Sequence, residues 1–135
     1  MKVFLNHARK DNDLARELRL QLESEGFSVW TAEDQIFPGD NWAKKVAKAL
    51  DDSDLMVVLL TPKAFESEFL RQNVQFALGS KKYAECVFSV FVGPTMEAGK
   101  DVPWILLRLP NRQVESAREF GDVVRDIRNM SHAHA

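Results

Sequence analysis

Apolar residues occur along this chain in two patterns: short continuous runs, and longer stretches in which they recur every three or four positions. The continuous runs predict strands over residues 2–6, 27–30, 54–61, 86–93 and 104–109. The periodic stretches predict helices over residues 11–26, 42–53, 67–82 and about 113–129. The third run, DLMVVLLT, is apolar almost throughout, which is typical of a central parallel strand buried on both faces.

Strands and helices alternate along the whole chain in this interpretation. Such alternation predicts right-handed crossovers and a parallel sheet covered by helices on both faces. We therefore expect one α/β domain over residues 1–135, with residues 130–135 as a frayed polar tail. The expected fold is a flavodoxin-like three-layer sandwich around a five-stranded parallel sheet. Its ligands should bind at the carboxyl ends of the strands, in the loops 6–11, 30–40 and 61–67.

Turn-forming residues separate the predicted elements. Residues 31–41 and 94–103 are predicted to be loops, and Pro38-Gly39 is the turn signal of the first. Asp40 or Asn41 can cap the helix that follows this loop.

Composition narrows the classes of function. The chain is 45% hydrophobic and 28% charged, with a net charge of -2, so it lacks the basic surplus of a nucleic-acid-binding domain. Its single cysteine, Cys86, cannot form a disulfide within the chain and is predicted to be a small apolar residue in a strand rather than a reactive thiol. No signal peptide precedes the first strand, and no apolar stretch is long enough to span a bilayer, so we expect a cytoplasmic protein without a membrane partner.

Several motifs that carry chemistry are absent. There is no glycine-rich phosphate loop, and no cluster with metal-ligand spacing, so neither a metal site nor a resident cofactor is predicted. A phosphorelay receiver has the same fold class but needs an aspartate at the end of its third strand, where this chain has Thr61. The acidic cluster at residues 51–54 precedes that strand and reads as a solvated helix end.

Two long segments resemble the TIR (Toll/interleukin-1 receptor) domain family. The first, KVFLNHARKDNDLARELRLQLESEGFSVW, is similar to the family's opening, in which a strand ends in an FxSYxxxD-like segment and a helix leads to G(F/Y)xVW. The second, IFPGDNWAKKVAKALDDSDLMVVLLTPKAFES, resembles the BB loop with its Pro-Gly-Asp, the second helix, the third strand and an (S/T)P…S segment. The resemblance covers residues 2–92, and the ordered set of motifs carries it.

The resemblance implies one of two activities. Many TIR domains assemble with one another and transmit signals, and others cleave NAD at the nicotinamide–ribose bond. That cleavage builds oxocarbenium character on the ribose, which a nearby carboxylate stabilises. In the family the carboxylate is a Glu on the third helix, in a pattern like S-x-W-V-x-x-E-(I/L)-x-x-A-L.

Laid on this chain, the family pattern starts at Ser67 and puts Asn73 at the Glu position. A shift of one residue would put Gln72 there, with the same consequence, since an amide carries no negative charge. Glu66 lies two turns before Asn73, about 10 Å along the axis, and reads as a charge stabilising the helix N-terminus. The resemblance therefore implies a site helix whose carboxylate is replaced by an amide.

Other positions follow from the resemblance in the same way. Trp42 is predicted to be a large core anchor rather than a stacking residue, and Ile36 and Phe37 are expected to form an exposed apolar contact patch. The implied nucleotide-binding residues are Asn6, His7, Arg9, Trp30, Asp34 and Ser67. The implied assembly surface is the BB loop, at Ile36, Phe37, Pro38, Gly39 and Asp40.

Two functional hypotheses follow. The first is a TIR-type signalling domain that assembles with itself or with another TIR domain through the BB loop, and whose NAD-type pocket has weak or no catalysis because of Asn73. The alternative is an active NAD glycohydrolase or ADP-ribose cyclase in defence or host-effector signalling, in which Glu66 or a neighbouring protomer completes the site. In both, NAD is a ligand or substrate rather than a cofactor.

Overall fold

The computed structural model describes residues 1–93 and 103–133. The strands in this part are β1 (Lys2–His7), β2 (Ser28–Trp30), β3 (Leu55–Leu60), β4 (Val87–Val92) and β5 (Asn111–Val114). The helices are α1 (Asn12–Ser24), α2 (Ala32–Gln35), α3 (Trp42–Asp52), α4 (Glu68–Leu78), α5 (Trp104–Arg108) and α6 (Phe120–Ala133). Single 3-10 turns lie at Arg9–Asp11, Ala64–Glu66 and Ala117–Glu119.

The five strands form one sheet in the order β2-β1-β3-β4-β5, and every neighbouring pair is parallel. This confirms the predicted flavodoxin-like sandwich. The connection from β1 goes outward to β2, while β3 pairs with the other side of β1. The strand order therefore reverses between β1 and β3, and a crevice is expected outside their carboxyl ends.

Two apolar layers enclose the sheet. All six residues of β3 are buried, as the continuous apolar run predicted, and alternate residues point to opposite layers. Met56, Val58 and Leu60 pack toward α3 and α4. Val57 and Leu59 pack toward α1 and α6.

The fifth strand is not where the sequence pattern put it. Residues 104–109 contain helix α5, which buries Leu106 and leaves Trp104 60% exposed. Short apolar runs do not distinguish a strand from a one-sided helix, which is the physical reason for the error. The strand is β5, a sheet edge with Val114 as its one buried residue, so it has little apolar signal.

Smaller differences concern the ends of elements. Helix α6 begins at Phe120 and continues to Ala133, so residues 130–133 are helical rather than frayed. Helix α4 ends at Leu78 instead of near residue 82. The first predicted loop contains the short helix α2, because the Thr31 side chain accepts a hydrogen bond from the Asp34 backbone N–H and caps it. Most of the predicted loop at 94–103 lies outside the described residues.

Cys86 lies just before β4 and is partly buried. Burial, reinforced by the negative charges of Glu85 and Asp54, raises the pKa of its thiol. A reactive thiol has a lowered pKa, so this setting is that of a packing residue. Among the described helices, none is long and apolar enough to cross a membrane.

Tyr83 is the single tyrosine of the chain, and its ring is buried between α3 and α4. Its hydroxyl donates to the backbone carbonyls of Leu50 and Ser53. Burial, with the nearby negative charge of Asp54 as the next cause, raises the pKa of Tyr83 to about 12.

We expect the tyrosinate absorbance of the native protein to titrate near pH 12, and that of the urea-unfolded chain near pH 10. Because the pKa of Tyr83 is higher in the native protein than in the unfolded chain, its neutral hydroxyl contributes to the free energy of unfolding. This contribution is complete below about pH 10 and is lost as the pH rises toward 12. Absorbance titration and urea unfolding over this range test both statements. Tyr83→Phe should remove the absorbance change, and native titration near pH 10 would contradict the burial argument.

Candidate functional site

The carboxyl end of β1 supplies two buried polar side chains. Asn6 is fully buried, and its Nδ2 donates to the Leu70 carbonyl oxygen at 3.1 Å. His7 is 5% exposed, and its Nε2 lies 2.8 Å from Asn12 Oδ1 at the start of α1. Burying polar groups costs free energy unless they are paired, so these contacts fix the two side chains. His7 Nδ1 is buried and has no partner among the described residues.

A cleft of about 520 Å³ opens beside His7, between the end of β1, the α2–α3 loop and the start of α4. We call it the loop cleft. It is lined by His7, Arg9, Asn12, Ala32, Glu33, Ile36, Phe37, Pro38, Trp42, Ser67 and Phe69. Three predicted nucleotide-binding residues, His7, Arg9 and Ser67, therefore share one cleft with three predicted BB-loop residues.

Within residues 1–93 and 103–133, the loop cleft contains one charged side chain that forms an ion pair and one that does not. Glu33 forms an ion pair with Arg16 of α1. Arg9 is exposed and forms no ion pair with a carboxylate of the described residues. Ser67 caps α4 by accepting from the Leu70 N–H at 3.2 Å, so the positive end of that helix dipole borders the cleft. The cleft therefore offers an anion two groups: the N-terminus of α4, and the Arg9 guanidinium, which has no carboxylate partner in the described part of the chain.

The BB loop is held in shape by Asp40. Its Oδ2 accepts from the Phe37 N–H and from Lys45 Nζ, each at 2.8 Å. The Lys45 hydrogen bond, followed by the Phe37 one, lowers the pKa of Asp40. Lys45 Nζ also donates to the Gln35 carbonyl and lies 5.6 Å from the Phe37 ring centroid. Gly39 has φ 89°, which a residue with a side chain rarely adopts, so the turn depends on it.

The apolar residues of this loop differ in exposure. Phe37 is 59% exposed, as a contact residue was expected to be. Ile36 is partly buried and packs against the core, so the expectation that it is exposed was wrong.

A second cleft of about 460 Å³ lies between α3 and α4, and we call it the helix cleft. Asn73 lines it together with Trp42, Asp51, Phe76 and Tyr83. Trp42 is 50% exposed and lines both clefts, so its prediction as a core anchor was wrong. The reason is its place at the first position of α3, where the ring lies over the surface and meets Phe69 at 6.2 Å between centroids.

The helix geometry distinguishes the two amides considered from the sequence. Asn73 is 6% exposed and its Nδ2 lies 3.5 Å from Asn6 Oδ1. Gln72 is on the exposed side of α4, where its Nε2 donates to Glu68 Oε1 at 3.0 Å. Glu66 is exposed and lies in the 3-10 turn before α4. Of these side chains, Asn73 is the one directed inward.

Three predicted nucleotide-binding residues line neither cleft, and the buried Asn6 described above is one of them. Trp30 stacks on Phe4 at 4.7 Å between ring centroids and lines a separate cleft beside Lys48. Asp34 accepts from the Thr31 hydroxyl at 2.8 Å and pairs with Arg19 of α1 at 3.0 Å. Neither residue lines the loop cleft or the helix cleft. The sequence analysis predicted one pocket. In the structure some of the predicted residues line the loop cleft, Asn73 lines the helix cleft, and Trp42 lines both.

Comparison with known proteins identifies the family. The family described as TIR domain matches residues 3–120. The chain belongs to the TIR-domain family. It is 35% identical over 124 residues to the NAD(+) hydrolase TcpA of Theionarchaea archaeon (strain DG-70-1), covering 90% of this chain and 37% of that protein. It is 33% identical over 71 residues to the 2′ cyclic ADP-D-ribose synthase BtTIR of Bacteroides thetaiotaomicron, covering 52% of this chain and 23% of that protein.

This TIR domain thus spans well under half the length of the curated relatives that it matches. Among solved structures, the fold is similar to a metazoan TIR-STING receptor from C. gigas in complex with 2′,3′-cGAMP, with a TM-score of 0.74 and 24% identity over 93% of this chain and 38% of that one. It is also similar to the TIR domain of the Toll-related receptor TRR-2 of Hydra magnipapillata, with a TM-score of 0.69 and 18% identity over 94% of this chain and 98% of that one. At these identities the structures show the fold alone.

Proposed function

We propose that this TIR domain binds an NAD-type dinucleotide across the loop cleft and the helix cleft and acts as an assembly domain, with weak or no hydrolysis. The observation that carries the proposal is the buried amide of Asn73, which the family resemblance aligns with the Glu. The 35% identity to an NAD(+) hydrolase over 90% of the chain supports NAD as the ligand class.

The two clefts offer different groups to such a ligand. Arg9, which has no carboxylate partner among the described residues, and the N-terminus of α4 suit the pyrophosphate of a dinucleotide. Trp42, at the junction of the clefts, offers a half-exposed ring on which a planar base can stack. Asn73 reaches the part of the ligand that enters the helix cleft.

The lack of charge at position 73 explains the weak catalysis that we propose. Cleavage of the nicotinamide–ribose bond develops positive charge on the ribose, and a neutral amide stabilises that charge far less than a carboxylate does. The carboxylates that line the clefts are Glu33, which Arg16 neutralises, and Asp51 at the end of α3. Glu66 is exposed and lines neither cleft.

The BB loop connects binding to assembly. Ile36, Phe37 and Pro38 line the loop cleft, while the ring of Phe37 is also 59% exposed. One loop therefore presents an inner side to the ligand and an outer side to a second TIR domain. A ligand that stabilises this loop conformation strengthens the contact by the same free energy as the contact strengthens ligand binding.

A second candidate function is active NAD cleavage, and the relationship to the archaeal NAD(+) hydrolase favours it. In that case a neighbouring protomer supplies the missing carboxylate, so activity requires assembly. The dependence of activity on protein concentration distinguishes the two candidates.

The test combines calorimetry with chromatography. We expect NAD to bind the purified protein, and nicotinamide release to stay at background even with a crowding agent that drives assembly. Arg9→Gln should weaken binding and reduce its salt dependence, because one phosphate contact is lost. Arg125→Gln, at an exposed position of α6, is the matched control and should bind NAD unchanged.

Each other outcome has one meaning. Nicotinamide release by the unmodified protein that rises steeply with its concentration supports the second candidate. The absence of NAD binding would reject the dinucleotide pocket altogether.

A further inference from the structure

Asn6 joins β1 to α4 through both ends of its amide. Its Nδ2 donates to the Leu70 carbonyl at 3.1 Å and lies 3.9 Å from Met56 Sδ in β3. Its Oδ1 accepts from Asn73 Nδ2 at 3.5 Å. The side chain is fully buried, so each of these polar contacts replaces one with water.

The Leu70 carbonyl determines which way the Asn6 amide points. A carbonyl oxygen can only accept a hydrogen bond, so the nitrogen of Asn6 must face it and the oxygen must face residue 73. Turning the amide over would put two oxygens together at Leu70 and two NH₂ groups together at Asn73. Position 73 therefore faces a buried acceptor, and Asn73 meets it with a donor.

We infer that Asn6 is a positioning residue that directs the Asn73 Nδ2 inward and leaves the Asn73 Oδ1 as the polar atom presented to the helix cleft. Asn73 makes no other side-chain hydrogen bond with the described residues, and it lines that cleft. The identity of the ligand rests on the function proposed above, whereas the pairing of the two amides does not depend on NAD.

This pairing determines the ligand chemistry that suits the cleft. An amide oxygen accepts a hydrogen bond, so it fits a ligand group with an O–H or N–H, such as a ribose hydroxyl or a carboxamide. A carboxylate at position 73 would instead place negative charge against the Asn6 oxygen. The surroundings of position 73 are thus matched to a neutral amide, because the Asn6 side chain offers it an acceptor.

A carboxyl group of the same shape as the amide tests the inference. We expect the carboxyl introduced by Asn73→Asp to titrate at least about one pH unit above the one introduced by Gln75→Asp, an exposed position on the same helix. Adding Asn6→Ser to Asn73→Asp should lower that pKa again by about one unit, because a hydroxyl can rotate and donate to the carboxylate. Carbon-detected NMR titration reads each pKa without any ligand, and thermal unfolding confirms that each variant is folded.

Comparing Asn73→Asp with the double variant separates the effect of the Asn6 oxygen on the carboxyl pKa from the effect of burial. Burial alone would raise the pKa in Asn73→Asp and leave it raised when Asn6→Ser is added, and this result would overturn the inference.

The unmodified protein gives a second test, which does not depend on any variant being folded. The side-chain NH₂ of Asn73 should exchange with solvent at least about tenfold more slowly than that of Gln75, since it is buried and hydrogen-bonded. Equal rates would also overturn the inference, whether or not NAD binds.

Discussion

Trp42→Ala weakens binding of an NAD-type dinucleotide by at least about fivefold if the ring stacks on a base, since such stacking contributes about 1–3 kcal/mol. The ring is half exposed and lines both clefts, so its removal takes away ligand contact without opening the core. The expected change in the free energy of unfolding is correspondingly small. Titration calorimetry with NAD, alongside urea unfolding, measures the two effects on the same preparation.

Trp104→Ala is the matched control for this experiment. Trp104 is 60% exposed, begins a helix as Trp42 does, and lines neither cleft. We expect its removal to leave the affinity for NAD unchanged. Equal losses of affinity in the two variants would indicate a general effect of deleting an exposed indole. An unchanged affinity in Trp42→Ala would show that Trp42 does not stack on the base.

The fold could be predicted because its strongest signals are long and local. The apolar run of β3 and the four-residue spacing in α1 leave little choice of structure, and alternation then determines the sheet. Strand β5 escaped prediction because an edge strand needs only one buried side chain, here Val114. The apolar run before it became α5, whose exposed Trp104 shows that hydrophobicity along a short segment does not determine burial.

The sequence indicated candidate site residues but not how they are arranged. His7, Arg9 and Ser67 share one cleft because each lies at or beyond the carboxyl end of a strand. The family motifs could not show that Asn73 opens into a different cleft, since that depends on how α3 and α4 pack. Asp34 lines neither cleft and instead forms an ion pair with Arg19. This contact joins two separate segments of the chain, so no local sequence pattern reveals it.

The contact between Asn6 and Asn73 could not be predicted from the sequence either. The two residues are 67 positions apart, and nothing in either local pattern relates them. The family resemblance puts Asn73 at the position of a Glu, so replacing it by Glu is the change that the sequence suggests. In the structure, however, the atom that faces position 73 is a hydrogen-bond acceptor, the Asn6 Oδ1.

Asn73→Glu is therefore expected to restore NAD cleavage only in part. At about pH 8, where a raised carboxyl pKa still leaves the group ionised, we expect nicotinamide release on the order of a hundredfold above the unmodified protein, the size of effect that one electrostatic group in an active site supplies. At about pH 5 the introduced carboxyl holds its proton against the Asn6 oxygen, and activity falls. Adding Asn6→Ser should extend activity to lower pH, so that the double variant exceeds Asn73→Glu about tenfold there.

The difference in activity between Asn73→Glu and the double variant should depend on pH, and this dependence tests the electrostatic role of Asn6. A pKa lowered by about one unit changes the ionised fraction tenfold below both pKa values and hardly at all above them. A serine that merely improved the fit of the site would raise activity equally at every pH, and that result would contradict the electrostatic role of Asn6. Gln72→Glu, on the exposed side of the same helix, is the matched control. It should gain no cleavage at any pH, because a carboxylate there faces solvent instead of the cleft in which the ribose charge develops.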